Sequence, residues 1–162
     1  MKPLHILVLS VFLGVPAVAA QEVPLTVVAD VPAETQEQAD GLLIIDAAGV
    51  TLDEFHWVKR PVLVFADSPA DPQFQRQMEL VRRDTLALAE RDVVVITDTD
   101  PAAMGYFRTR FRPRGFGLVL MDKDGVTTLR KPLPWDVREI SRAIDKWPMR
   151  RQEILERYPS GR

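Results

Sequence analysis

Four aspartates, Asp67, Asp71, Asp98 and Asp100, stand just beyond the ends of two apolar runs at 62–66 and 93–97. The carboxyl ends of parallel strands are where open α/β sheets usually bind ligands. Four carboxylates there supply the oxygen donors that a hard cation such as Ca²⁺ requires. A local use competes with that chemistry. Asp71-Pro72 and Asp100-Pro101 each offer an N-cap followed by proline at the first helical position, and turns favour aspartate in general. The caps account for the pattern better, and no metal ligand set is assigned.

Arg108, Arg110, Arg112 and Arg114 alternate on the other side of the second run. Residues two apart cannot share a helix face, so only the later pair, Arg112 and Arg114 in the following loop, can converge. A convergent pair grips a phosphate or carboxylate through bidentate hydrogen bonds. The alternative, which is favoured, is that these arginines neutralise the nearby acids, with Arg112 or Arg114 within ion-pair reach of Asp67 or Asp71. His56 is the one histidine beyond the first twenty residues; Ser68, Ser141 and Ser160 lie in no nucleophile-elbow sequence, and no second imidazole completes a zinc site. With 0 cysteines, thiol catalysis and disulfides are both excluded. There is no glycine-rich phosphate loop, zinc-binding pattern or RNA-binding signature, so no cofactor and no nucleic-acid partner is expected.

The elements that must hold these residues fit one domain in 162 residues. Lys2, an apolar run at 6–15 and a small-residue exit at 16–20 have the form of a secretory signal peptide. A spanning helix needs roughly 20 apolar residues, and this run is shorter and is interrupted by Gly14 and Pro16. Residues 1–20 are therefore read as a signal peptide, 21–50 as a leader with short elements, and 51–158 as the folded domain, with no membrane-spanning segment in the mature chain. Removing Lys2 with the signal turns 21 basic against 23 acidic residues into 20 against 23, a net of −3. Such a balance attracts neither nucleic acid nor membrane.

In chain order, 25–28 reads as a short edge strand, and Leu42-Leu43-Ile44-Ile45 as a strand or a helix turn. Thr51-Leu52-Asp53-Glu54 has the spacing of a capping box opening a short helix through Trp57. The run at 62–66 should be a central strand covered on both faces. Phe74, Met78, Val81 and Leu88 mark one helix from Pro72 to about Glu90, and a second strand follows at 92–97, parallel to the first. Met104, Phe107 and Phe111 give the next helix its buried stripe before Pro113 stops it. Two strands at 117–122 and 126–130 meet at Asp124-Gly125, a tight hairpin turn. Val137, Ile140, Ile144 and Trp147 line the last main helix, and 149–158 reads as a helical tail docked through Ile154 and Leu155, with Arg150, Arg151 and Arg157 on a solvated face.

This order, with the stretch TLDEFHWVKRPVLVF at 51–65 and RGFGLVL at 114–120 before Asp124-Gly125, resembles the thioredoxin-like fold and its peroxiredoxin branch. The region 52–151 is similar to a bacterial exported family of unassigned function, itself similar to the peroxiredoxin-like DUDES domain of vertebrate extracellular-matrix and sushi-repeat proteins. The resemblance implies an α/β three-layer sandwich with a four-stranded mixed sheet flanked by helices. It also implies that Ser68-Pro69-Ala70-Asp71 stands where the redox cysteines would be, and Gly117 where the cis-proline would be. Both parts of the thiol chemistry are then absent.

What remains is a non-catalytic binding or interaction module, periplasmic or secreted, with candidate binding residues Asp67, Ser68, Asp71, Asp98, Arg112, Arg114 and Gly117. Its partner would be a protein of the cell envelope or a small anion. The alternative is an oxidative-stress-related enzyme or redox accessory protein that acts without cysteine. Export has a direct check. Mass spectrometry of the chain from its native host should find a mature N-terminus at Gln21 or Ala20, and an intact Met1 would exclude cleavage.

Overall fold

In the computed structural model, which describes residues 36–158, the run beginning at Arg60 is buried at every position and lies inside the sheet. The described elements are β1 (Gln36–Ala39), β2 (Leu42–Asp46), β3 (Arg60–Phe65), α1 (Pro72–Arg83), α2 (Thr85–Ala89), β4 (Val93–Asp98), α3 (Tyr106–Phe111), β5 (Gly117–Met121), β6 (Thr127–Lys131), α4 (Val137–Ile144) and α5 (Pro148–Arg157). The sheet order is β1-β2-β4-β3-β5-β6. Strands β2, β4 and β3 are parallel neighbours, whereas β3–β5, β5–β6 and β1–β2 are antiparallel. The β4-β3-β5-β6 core with its crossover helix is the thioredoxin-like arrangement.

Alternation along β3 divides the core between two faces. Val62 and Val64 pack with Met78 and Val81 of α1, Leu88 of α2, and Val137, Ile140 and Ile144 of α4. Leu63 and Phe65 pack on the opposite face with Phe107 and Phe111 of α3 and with Leu52 and Phe55 of a 3₁₀ turn. Three layers result, and the carboxyl ends of β3 and β4 open between α1 and α3.

Several expectations are corrected. The sheet has six strands rather than four, because Asp40 and Gly41, with φ of 49° and 80°, turn a hairpin that adds β1 and β2. The α1 helix stops at Arg83; Asp84, at φ −146° and ψ 63°, leaves helical geometry and its carboxylate caps α2 through the Ala87 amide. The capping box forms, with the Thr51 amide 2.8 Å from Glu54, but the turn it opens ends at Phe55, and Trp57 sits at φ 64° with its ring stacked on His56. Met104 is exposed and left-handed, so α3 begins only at Tyr106. The signal segment and the strand read at 25–28 lie outside the described residues. No helix among the described residues is long and apolar enough to cross a membrane.

The largest correction concerns α5, whose Ile154 and Leu155 face solvent while Arg150 is buried. Charge docks this helix. Arg60, fully buried at the start of β3, donates to both oxygens of Glu153 at 2.8 and 3.2 Å and to Asp122 at 2.9 Å. Lys123 and Arg150 join Glu153 at 2.9 and 3.2 Å, and Arg91 and Arg150 share Asp145. Breaking such a network from one side strands the opposite charge.

Burial alone would raise the Glu153 carboxyl, but hydrogen bonds from Arg60, Lys123 and Arg150 and the Arg60 charge outweigh it and hold the pKa at about 2. A depressed carboxylate contributes stability that is complete above its unfolded value near 4.5 and is lost as pH falls towards 2. Glu153→Gln is therefore expected to lower the unfolding free energy at pH 7 by on the order of 3 kcal/mol. Urea titrations at pH 7 and pH 3 check it, since the gap between wild type and variant should narrow in acid.

Candidate functional site

The carboxyl ends of β3 and β4 are joined by one side chain. Arg108 follows the core residue Phe107 on α3 and runs inward, where Nε meets Asp98 Oδ1 at 2.6 Å and Nη2 donates to the Asp98 carbonyl at 3.1 Å and to the Ala66 carbonyl. Arg108 and Asp98 are both buried. The remaining terminal nitrogen, Nη1, is 3.6 Å from the exposed carboxylate of Asp67. It faces an open cavity of about 490 Å³ lined by Asp67, Met104, Arg108, Arg112 and Arg114. Neither Arg112 nor Arg114 makes an ion pair among the described residues, so the cavity is lined by three guanidiniums and one carboxylate.

The loop that carries these arginines is set by backbone geometry. Arg112 ends α3 in the left-handed region at φ 47°, with its amide bonded to the Arg108 carbonyl. Pro113 fixes the next φ, and Gly115 at φ 65° brings the chain close to Asp67, whose Oδ2 lies 3.9 Å from where a Cβ would stand. Arg112 and Arg114 also line a second recess of about 240 Å³, whose wall includes Phe65, Phe111, Gly117 and Val119 and whose rim carries Arg130 and Lys131.

The candidate residues thus divide. Asp67, Arg112 and Arg114 meet at the larger cavity, and Gly117 joins the two arginines at the smaller one. Asp98 lies behind Arg108. Asp71 caps α1, accepting from Gln73 and Phe74 at 2.7 and 3.1 Å, and Ser68 accepts from Ala70 at 3.1 Å, so these two shape the turn and line neither cavity among the described residues. Asp100 caps the turn that follows β4. No three acidic or histidine side chains among the described residues are grouped to hold a metal ion.

The ion pair expected from Arg112 or Arg114 to Asp67 or Asp71 does not form among the described residues; Arg108 pairs with Asp67 instead. Its helix points it inward at the acids, whereas the later arginines leave the helix into solvent. Sequence reasoning also passed over Arg130 and Lys131, although their place at the end of β6, with Lys131 opposite Leu118 beside Gly117, follows from the hairpin register. His56 stands elsewhere, its Nε2 donating to the Asp124 carbonyl at 3.1 Å.

Comparison with known proteins adds a family and little chemistry. A family model described as "Domain of unknown function (DUF4174)" matches residues 51–153. The sushi repeat-containing protein SRPX2 of Rattus norvegicus and that of Homo sapiens are each 25% identical over 130 residues, covering 70% of this chain. The chain spans only 28% of those relatives' length. Among solved structures, the reduced 2-Cys peroxiredoxin of Plasmodium vivax is similar at a TM-score of 0.49 and 16% identity, over 67% of this chain and 86% of that one. The Plasmodium yoelii Prx1a structure has a TM-score of 0.48 and 18% identity, over 67% and 82%.

Removing Arg108 would leave Asp98 buried without its cation and the Ala66 carbonyl without this donor, while the Asp98 carbonyl keeps the Ala66 amide at 2.9 Å. Arg108→Met is expected to destabilise the fold by about 3–5 kcal/mol, and Arg112→Ala or Arg114→Ala by no more than about 0.5 kcal/mol. Urea unfolding of the three variants measures the contrast.

Proposed function

The chain belongs to the DUF4174 family, and we propose that it is a non-catalytic binding module that holds an anionic group in the cavity bounded by Asp67, Arg108, Arg112 and Arg114. The observation that carries the reading is the charge imbalance there. Arg112 and Arg114 are exposed without an acidic partner among the described residues, and behind them Arg108 directs one buried guanidinium nitrogen at the same space. Guanidinium groups bind phosphate and carboxylate through paired, charge-assisted hydrogen bonds. Asp67 acts as the internal competitor, holding Arg108 Nη1 until a ligand displaces it.

Subtraction supports binding over turnover. The chain has no cysteine, its histidine beyond the signal-like segment is committed to a backbone carbonyl, and the hydroxyl of Ser68 is bonded within its own turn. A nucleophile with a base in reach, the usual minimum for covalent catalysis, is missing from this end of the sheet among the described residues. The reading includes export, supported by the charged start, apolar run and small-residue exit at 1–20, so the module would work in the cell envelope or outside it.

Calorimetric titration with inorganic phosphate and sulfate tests the reading. Exchange of both Arg112 and Arg114 for Ala should weaken binding by about tenfold or more, and Asp67→Asn should strengthen it by releasing Arg108. No binding by the wild type would refute the anion site. Turnover in peroxide, disulfide-reductase or phosphoesterase assays, lost in the same arginine variant, would replace the module with an enzyme.

A further inference from the structure

The recess beside the cavity differs from it in character. Its wall is apolar, built from Phe65, Phe111, Val119 and the bare backbone of Gly117, and its rim carries Arg112, Arg114, Arg130 and Lys131. No acidic side chain is among the described residues that line it. Two of the four cations are held in place by aromatic rings. Arg130 lies over the Phe111 ring at 5.2 Å and reaches the Phe111 carbonyl at 3.5 Å, and Lys131 lies over the Trp135 ring at 4.5 Å. Surface cations without acids normally project into water; here four of them border an apolar hollow.

From this arrangement we infer that the ligand is a small organic anion, its charged head between Arg112 and Arg114 and its aromatic or short aliphatic body in the recess over Phe65, Phe111 and Val119. The inference rests on the anion reading above and names the class of ligand. Inorganic phosphate would engage the arginines and leave the apolar wall wet, whereas a neutral apolar molecule would fill the recess and leave four cations unanswered. Only a molecule with both parts matches both surfaces. At about 240 Å³ the recess falls below the roughly 300–1,000 Å³ of pockets for drug-sized ligands, so the body is one ring or a short chain rather than a length of peptide.

Gly117 supplies the means to test it. It lines the recess, and a Cβ added there meets nothing within 4 Å, so a side chain has room to start into the hollow. The probes are inorganic phosphate and phenyl phosphate, which share a head group and differ by a ring. Wild-type chain is expected to bind phenyl phosphate about tenfold more tightly than phosphate. Gly117→Val should abolish that gain, so that the variant binds phenyl phosphate no more tightly than phosphate, and a urea unfolding curve matching that of the wild type shows that the variant is folded. A larger substitution, Gly117→Leu, repeats the test should the valine prove too small to close the hollow. Equal affinities in the wild type, or a gain that survives both substitutions, overturn the organic-anion inference and leave the anion site standing. Failure of the wild type to bind either probe overturns both.

Discussion

The carboxyl end of this sheet depends on one buried ion pair. Parallel strands β3 and β4 finish side by side, where the Asp98 carbonyl takes the Ala66 amide at 2.9 Å and the Ala66 carbonyl points past the ladder. Arg108 supplies donors to both and to the Asp98 carboxylate in the same plane. A guanidinium suits this place because it is planar and multiply donating, and because it is less strongly hydrated than an ammonium group. Through it α3 is pinned across the strand ends, and the loop that leaves α3 at Arg112 inherits its position.

A second arginine stands at the opposite end of β3, and the two ends differ in how their charge is answered. Arg60 is surrounded by the carboxylates of Asp122 and Glu153 and the Arg91 carbonyl, so its donors are consumed within the fold. The neighbouring Lys123 and Arg150 meet acids as well. At the Arg108 end the cavity is lined by three arginines and one carboxylate, and the surplus faces an opening. One end of the central strand is closed by its charges and the other is left with charge to share, which fits the usual placing of ligands at the carboxyl ends of open α/β sheets.

Much of the fold was legible because the sequence states it locally. The runs at 62–66 and 93–97 are apolar at consecutive positions, as strands buried on both faces must be, and Asp-Pro twice marks a helical start. Asp124-Gly125 announced its hairpin; the identical pair at Asp40-Gly41 was equally readable and would have supplied β1 and β2. The docking of α5 was not legible, since an arginine in a helical tail looks solvated until Glu153 and Asp145 are known to lie beside it across the fold. The site was half legible. Asp67, Arg112, Arg114 and Gly117 were picked out by type and place, but the identity of the arginine that turns inward depends on helix phase, and the contribution of Arg130 and Lys131 on a strand pairing.

The anchoring of segment 112–117 behind Arg108 has an entropic consequence. Pro113 fixes one φ within it, and Arg108 is already immobilised by its bonds to the strand ends. Ordering on occupation then falls mainly on the side chains of Arg112 and Arg114, each a loss of about 0.5–1.5 kcal/mol of rotamer freedom. Preorganisation of this kind lets a handful of contacts suffice where a mobile loop would need many, and it places recognition in the scaffold rather than in the area of the surface covered.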